Sequence, residues 1–200
     1  MEDLEELARG VAHCQRCSLY EDATQGVFGE GPADAVMVLV GETPGDYEDK
    51  QGHPFVGPAG RVLNRALSDS GIDRSAVYLT NAVKHFKWRP RGKRRIHQRP
   101  NGSEIRACHP WVAGELSVVS PRVVVLLGAV AGESFYGSSF RVGGHRGRVS
   151  PLTSGGWSGL VVATIHPSAV LRASDEDRPG VYDGFVADLK VAASVVADQP

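Results

Sequence analysis

Apolar positions along the chain follow two rhythms. Residues 2–13 set Leu4, Leu7, Ala8 and Val11 on one face at helical spacing, which predicts an N-terminal helix. Residues 35–40, AVMVLV, form a continuous apolar run before Gly41 and read as a strand buried on both faces. Three more such strands are predicted at 76–81 (AVYLTN), 122–128 (RVVVLLG) and 159–165 (GLVVATI). Helical patterns lie between them. Pro58 opens a helix that buries Val62, Leu63, Ala66 and Leu67 and stops near Gly71. Another runs from about Ser103, its expected N-cap, to Val119. A short helix follows the third strand, and a Gly-rich stretch spans 143–156. Residues 179–197 close the chain as a helix with Val181, Phe185, Leu189, Ala192 and Val196 on its apolar face. The segments 41–57 and 84–102 read as long loops, which in a compact domain are more often functional than idle.

This alternation predicts an α/β fold: a single α/β/α sandwich over residues 1–200 with a central four-stranded parallel sheet. Open parallel sheets bind ligands at the carboxyl ends of their strands. Gly41-Glu42, Asn81, Gly128 and His166 are therefore expected to converge on one site.

Composition narrows the function. The 200 residues are 42% hydrophobic and 22% charged, which suits a packed core, and the net charge of -1 excludes a globally basic nucleic-acid binder. No apolar run approaches the roughly 20 residues that span a bilayer. The opening MEDLEELARG is acidic and lacks an apolar signal region, so the cytoplasm is the expected compartment, with no membrane association. Charge is nevertheless uneven. Nine of the 22 Lys and Arg residues lie between Lys84 and Arg106, against one acid, Glu104. Such a segment is expected to face phosphate, and Phe86 and Trp88 interleave with it as stacking on bases would require.

Three cysteines, Cys14-x-x-Cys17 and Cys108, fit a metal or redox site better than a disulfide framework. Zinc and iron–sulfur sites usually take four ligands, so the fourth must be another residue type. His85, after the second strand, leads; His109, beside Cys108, is the rival. In the loop Gly41-Glu42-Thr43-Pro44-Gly45-Asp46, Gly and Pro let the backbone approach a ligand, and Glu42 puts a carboxylate at a strand end. Phe55 adds an aromatic ring to the same loop, and His166-Pro167-Ser168 follows the last strand.

Together these residues resemble the uracil-DNA glycosylase superfamily, in particular its iron–sulfur branch, over nearly the whole chain. Gly41-Glu42-x-Pro44-Gly45 resembles the first motif of that branch, and Gly52-x-Pro54-Phe55-Val56-Gly57-x-Ala59-Gly60 its uracil-stacking segment. Thr80-Asn81-Ala82-Val83-Lys84 resembles the strand that offers Asn to the base, and His166-Pro167-Ser168 the last motif. Lys93-Arg94-Arg95-Ile96-His97 is similar to the signature loop of the UdgX-type members, which excise uracil and become covalently joined to DNA through the loop histidine. His85 agrees, since turnover members of the branch carry Cys there; Thr43 departs, since UdgX-type chains carry Gln.

The resemblance implies a 4Fe–4S cluster on Cys14, Cys17, His85 and Cys108. It implies that Phe55 stacks on a flipped uracil, that Asn81 reads its edge and that His166 donates to O2. Gly41, Asp46, Tyr47 and Ser168 would complete the base site, with Tyr47 as a wall against the thymine methyl group. Lys93 and Arg94 would hold the DNA backbone, Arg95 would pin the loop, and His97 would attack C1′ with Glu42 beside it. Surrounding cations are expected to keep His97 neutral. The expected partner is uracil-containing DNA, preferably single-stranded, and the expected state a bacterial monomer. An ordinary turnover glycosylase and a non-catalytic iron–sulfur DNA-binding protein are the alternatives.

Overall fold

The computed structural model describes residues 3–197. Helix α1 (Leu4–Ala12) starts where the Asp3 side chain accepts from the Glu6 N–H (2.8 Å), and a short α2 (Leu19–Asp22) follows the two cysteines. The central sheet contains β1 (Met37–Gly41), β2 (Val77–Asn81), β5 (Val123–Leu127), β6 (Val149–Ser154) and β7 (Trp157–Thr164), in the order β2-β1-β5-β7-β6. The first four in that order are parallel, and β6 pairs antiparallel with β7. Side chains alternate along β1: Val38 and Val40 pack on one face, Met37 and Leu39 on the other. Helix α5 (Gly102–Val119) and α6 (Ala129–Tyr136) cover the first face. The second is covered by α4 (Pro58–Asp69), α8 (Ser168–Arg172) and α9 (Arg178–Ala197). Among the described residues no helix is long and apolar enough to cross a membrane.

Four expectations need correction. The sheet has five strands rather than four, because the Gly-rich stretch holds α7 (Val142–His145) and the edge strand β6. Gly155 and Gly156, at φ 58° and 87°, make a two-residue turn between β6 and β7, and Pro151 sits on the edge strand, where a missing N–H is tolerated. The segment 41–57 is not all loop: it contains α3 (Asp46–Gln51). The segment 84–102 contains the antiparallel hairpin β3 (Trp88–Arg91) and β4 (Arg94–His97), turned at Gly92 with φ 59°. Finally, Asn101 rather than Ser103 caps α5. Its Oδ1 accepts from the N–H groups of Ser103 and Glu104 (both 3.0 Å), and Glu104 accepts from the Asn101 N–H (2.7 Å).

Candidate active site

The carboxyl ends of the parallel strands open into a cavity of about 310 Å³. Glu42, Asp46, Tyr47, Phe55, Asn81, His97, His166 and Ser168 all line it. Glycines let the walls close up. A side chain at Gly41 would collide with Asn81 Oδ1 and the Phe55 ring, so Gly41 is what lets those two groups meet over the end of β1. Phe55 itself takes φ 57°, a conformation costly to a bulky side chain, and its carbonyl packs against Gly60 with no room for a Cβ. The ring faces His166 with centroids 6.3 Å apart and planes 28° from parallel.

The loop that carries Phe55 is tied at both ends by a buried carboxylate. Glu48 accepts from the Gly57 N–H (2.8 Å) and the Gly45 N–H (3.1 Å). Its neighbour Asp49 is fully buried and accepts from the Thr24 N–H (2.9 Å), the Thr24 hydroxyl (2.5 Å) and Arg95 Nη1 (2.6 Å). Arg95 also donates to Asp46 Oδ1 (2.6 Å). The guanidinium thus clamps the hairpin to α3 through two carboxylates, and its ring contacts with Phe86 and Trp88 brace it from the other side. Sequence reading missed Glu48 and Asp49. The signal for Glu48 was its place three residues after Gly45, where a capping-box carboxylate belongs.

The clamp brings His97, at the end of β4, to the cavity wall. Its Nε2 lies 3.6 Å from Glu42 Oε1, within ion-pair range and longer than a hydrogen bond, while 45% of its side chain stays exposed. Burial lowers the His97 pKa, with the positive charge of Arg172 second, so burial rather than surrounding cations is the main cause. Burial also raises the pKa of Glu42, against the pull of Arg99 and Arg172.

His166 is held by a relay that sequence reading missed. Arg172 donates to Ser168 Oγ (2.8 Å), which leaves the Ser168 hydroxyl proton for His166 Nδ1 (2.8 Å). The Ser168 backbone N–H donates to the same nitrogen (3.2 Å). Nδ1 is therefore the acceptor, and the neutral ring carries its proton on Nε2. Burial, then Arg172 and His97, pushes the His166 pKa down to about 4. Arg172 stands one helical turn beyond Ser168 on α8, which is the spacing that could have flagged it.

These histidines make stability depend on pH. His166 falls from an ordinary 6.5 to about 4 in the folded chain, so between those values the unfolded chain binds more protons. The stabilisation is complete above pH 6.5 and is lost as pH falls towards 4. We expect a loss on the order of 2 kcal/mol from His166, and a melting temperature lower by about 4–8 °C at pH 4.5 than at pH 7.5. A His166→Gln variant should narrow that difference; an equal drop in both proteins would place the effect elsewhere.

The basic segment is only partly free. Lys84 is fully buried, paired with Glu115 Oε2 (2.5 Å) and Thr80 Oγ1 (2.6 Å), and cannot face phosphate. Lys87 pairs with Glu104 (2.9 Å) and Arg99 with Glu133 (2.6 Å). Arg89, Arg91, Lys93 and Arg94 remain exposed on the hairpin. Phe86 is buried beneath Arg95, and the Trp88 indole donates to the Asp22 carbonyl (2.9 Å), so neither ring is free to stack on bases as expected.

Cys14, Cys17 and Cys108 lie near one another. The Lys84 N–H donates to Cys108 Sγ (3.1 Å) and Trp111 Nε1 to Cys14 Sγ (3.2 Å). Cys108 feels both other thiols, and burial pushes its pKa up to about 12. His85 is buried next to that bond, and its carbonyl accepts from the Thr43 hydroxyl (2.8 Å). The rival His109 has both ring nitrogens against serine hydroxyls, Ser134 (3.0 Å) and Ser154 (3.2 Å). Among the described residues, no three His, Cys, Asp or Glu side chains converge closely enough to chelate a single ion.

Comparison with known proteins follows the same lines. The family model of the Uracil DNA glycosylase superfamily matches residues 28–190. The chain is 39% identical to the type-4 uracil-DNA glycosylase of Thermotoga maritima over 196 residues, covering 96% of this chain and 94% of that protein. It is 33% identical to the type-4 enzyme of Pyrobaculum aerophilum, covering 94% and 91%, and 32% identical to that of Archaeoglobus fulgidus, covering 95% and 92%. With the family's pattern running through β1, the Phe55 loop, β2 and the His166 turn, this chain belongs to the uracil-DNA glycosylase superfamily.

Proposed function

We propose that the protein excises uracil from DNA and then joins itself to the resulting deoxyribose through His97. The glycosylase reading rests on family membership and on near full-length similarity to type-4 uracil-DNA glycosylases. The covalent step is supported by one observation: the His97 imidazole lies on the wall of the same cavity as Glu42, Asn81, Phe55 and His166.

A base in the stack is out of reach, so the uracil nucleotide flips out, at a cost of a few kcal/mol, most readily from a single strand. Phe55 stacks on the base. The Asn81 amide donates to O4 and accepts from N3–H, a pattern cytosine reverses. The N1–C1′ bond then breaks, and its electron pair moves onto uracil, towards O2. The His166 Nε2–H donates to that oxygen as the charge develops. The sugar is left cationic at C1′, beside the Glu42 carboxylate. A neutral His97 gives its ring lone pair to C1′, forming an N–C bond; the ring becomes cationic and releases its remaining N–H proton to water, while uracil takes up a proton.

Cys14, Cys17, Cys108 and His85 would hold a 4Fe–4S cluster. Cys14 and Cys108 are buried, and their sulfurs accept from Trp111 Nε1 and the Lys84 N–H, which suits such a group. When bound it would tie α1, the exit of β2 and α5 together, and purified protein should carry iron rather than zinc.

A single-stranded oligonucleotide with one uracil tests the reading on a denaturing gel. A shifted band that survives denaturant supports it. An alkali-labile abasic strand without that band would indicate an ordinary turnover glycosylase, and an unchanged strand a non-catalytic protein.

A further inference from the structure

Phe55 belongs to the walls of two cavities. Besides the base cavity, it borders a second hollow of about 360 Å³ lined also by His53, Arg61, Asn64, Arg74 and Glu30. The hollow is built from separate elements. Arg61 and Asn64 stand one turn apart on α4, Arg74 comes from the 3-10 turn before β2, and His53 comes from the loop that carries Phe55. Its one carboxylate is already engaged, since Glu30 Oε2 lies 3.1 Å from His53 Nδ1.

The two arginines are not. Among the described residues neither guanidinium makes a hydrogen bond or ion pair, although the next arginine on α4, Arg65, pairs with Asp69. Arg74 has given up part of its hydration, enough to lower its pKa against the pull of Glu30. Two planar donor forks and a side-chain amide therefore line one hollow whose only carboxylate, Glu30, is engaged by His53. The chemistry that satisfies them is an oxyanion with several acceptor oxygens, such as a phosphate group.

Placement selects the source of that phosphate. The base cavity borders another cationic hollow, formed by Lys50, Lys93, Arg94 and Arg95, with which it shares Asp46. A strand whose nucleotide enters the base cavity carries a phosphodiester away from it in both directions. The hairpin cations meet one; the hollow behind Phe55 is adjacent for another.

We propose that Arg61, Asn64 and Arg74 form a second phosphate site, which holds the backbone of the substrate strand beyond the flipped nucleotide. This rests on uracil-containing DNA being the substrate. The strand would then be gripped at two cationic points that flank the base cavity, and the loop bearing Phe55 would lie against bound phosphate.

The test uses the full chain and a single strand carrying one tetrahydrofuran abasic residue, which offers no base to release and cannot couple. Single-strand affinity falls with salt by a slope of about 0.7 per neutralised phosphate. In the double variant Arg61→Gln/Arg74→Gln that slope should shrink by about 0.7–1.4, with affinity at low salt weakened at least several-fold. The control Arg65→Gln, which removes an exposed charge from the same helix as Arg61, should keep the wild-type slope. Inorganic phosphate, titrated at constant ionic strength, separates the two sources of the ion. An unchanged slope in the double variant overturns the proposal, even if inorganic phosphate binding is lost. An equal loss in Arg65→Gln assigns the effect to net charge and overturns it as well. Because the probe contains no uracil, these outcomes are read independently of whether the wild-type protein releases or couples to uracil-containing DNA.

Discussion

The His97→Ala variant is expected to lose the denaturant-stable complex entirely while still releasing uracil. The wild-type protein holds the imidazole at the rim of the cavity, where, on the proposed reading, it would compete with water for C1′ through position rather than through intrinsic reactivity. Well-oriented groups gain up to about 7–11 kcal/mol over their free counterparts. Removing the ring removes that advantage and opens room beside Glu42, which can then orient a water molecule. A product that water can free from the protein allows turnover, so uracil release should pass from at most one per chain to many. Because almost half of the side chain is exposed, the substitution should shift stability by no more than about 1 kcal/mol, and a lost band would not reflect unfolding. Uracil release and the shifted band are measured on the same reaction. A band that persists in His97→Ala would mean another nucleophile and would end the covalent reading. The pH dependence carries a further check: the lowered pKa of His97 keeps its lone pair available below pH 6.5, so coupling should continue from pH 8 to below 6.5 before it declines.

His166→Ala should slow base release itself, by about 10²–10³-fold, the loss typical of removing one donor to a developing oxyanion. The relay behind His166 grades the remaining variants. Ser168→Ala keeps the backbone N–H on Nδ1 and so keeps the tautomer, and it should cost less than His166→Ala. Arg172→Gln removes both the donor to Ser168 and the positive charge that helps hold two histidines neutral. It should therefore impair coupling more at pH 6 than at pH 8. Single-turnover uracil release, followed across pH, separates these effects. A His166→Ala rate equal to wild type would remove the histidine from the chemical step.

The parallel strands were legible because burial on both faces leaves a short, continuous apolar run rich in β-branched residues, as in RVVVLLG. The edge strand β6 was not. It is half-exposed, interrupted by Pro151 and embedded among glycines, although the Gly155-Gly156 pair between two short runs was a hairpin signal. The β3–β4 hairpin left no apolar pattern at all. Half of its strand positions are arginine, and it is held by the Arg95 clamp rather than by a buried face. Charge was the least readable quantity, since Lys84 and Arg94 are both cations of one segment, yet one is buried against Glu115 and the other is in water.

By itself, then, the sequence determined the four parallel strands, the helices between them, and the residue types at the strand ends, because each is dictated by local periodicity and turn chemistry. It also marked Glu42, Phe55, Asn81 and His166, which line the cavity, since they sit in short motifs next to those ends. Only the tertiary structure decided which charges are free, which carboxylates clamp the hairpin, and which tautomer His166 adopts. The clamp and the pairing of charges depend on partners distant in sequence: Asp49 and Arg95 are 46 residues apart, and Lys84 and Glu115 are 31. Residues so separated leave no joint pattern in the chain. They meet only once the apolar faces of the sheet have been buried, and the distance at which they meet sets whether a charge is paired, desolvated or open to a phosphate.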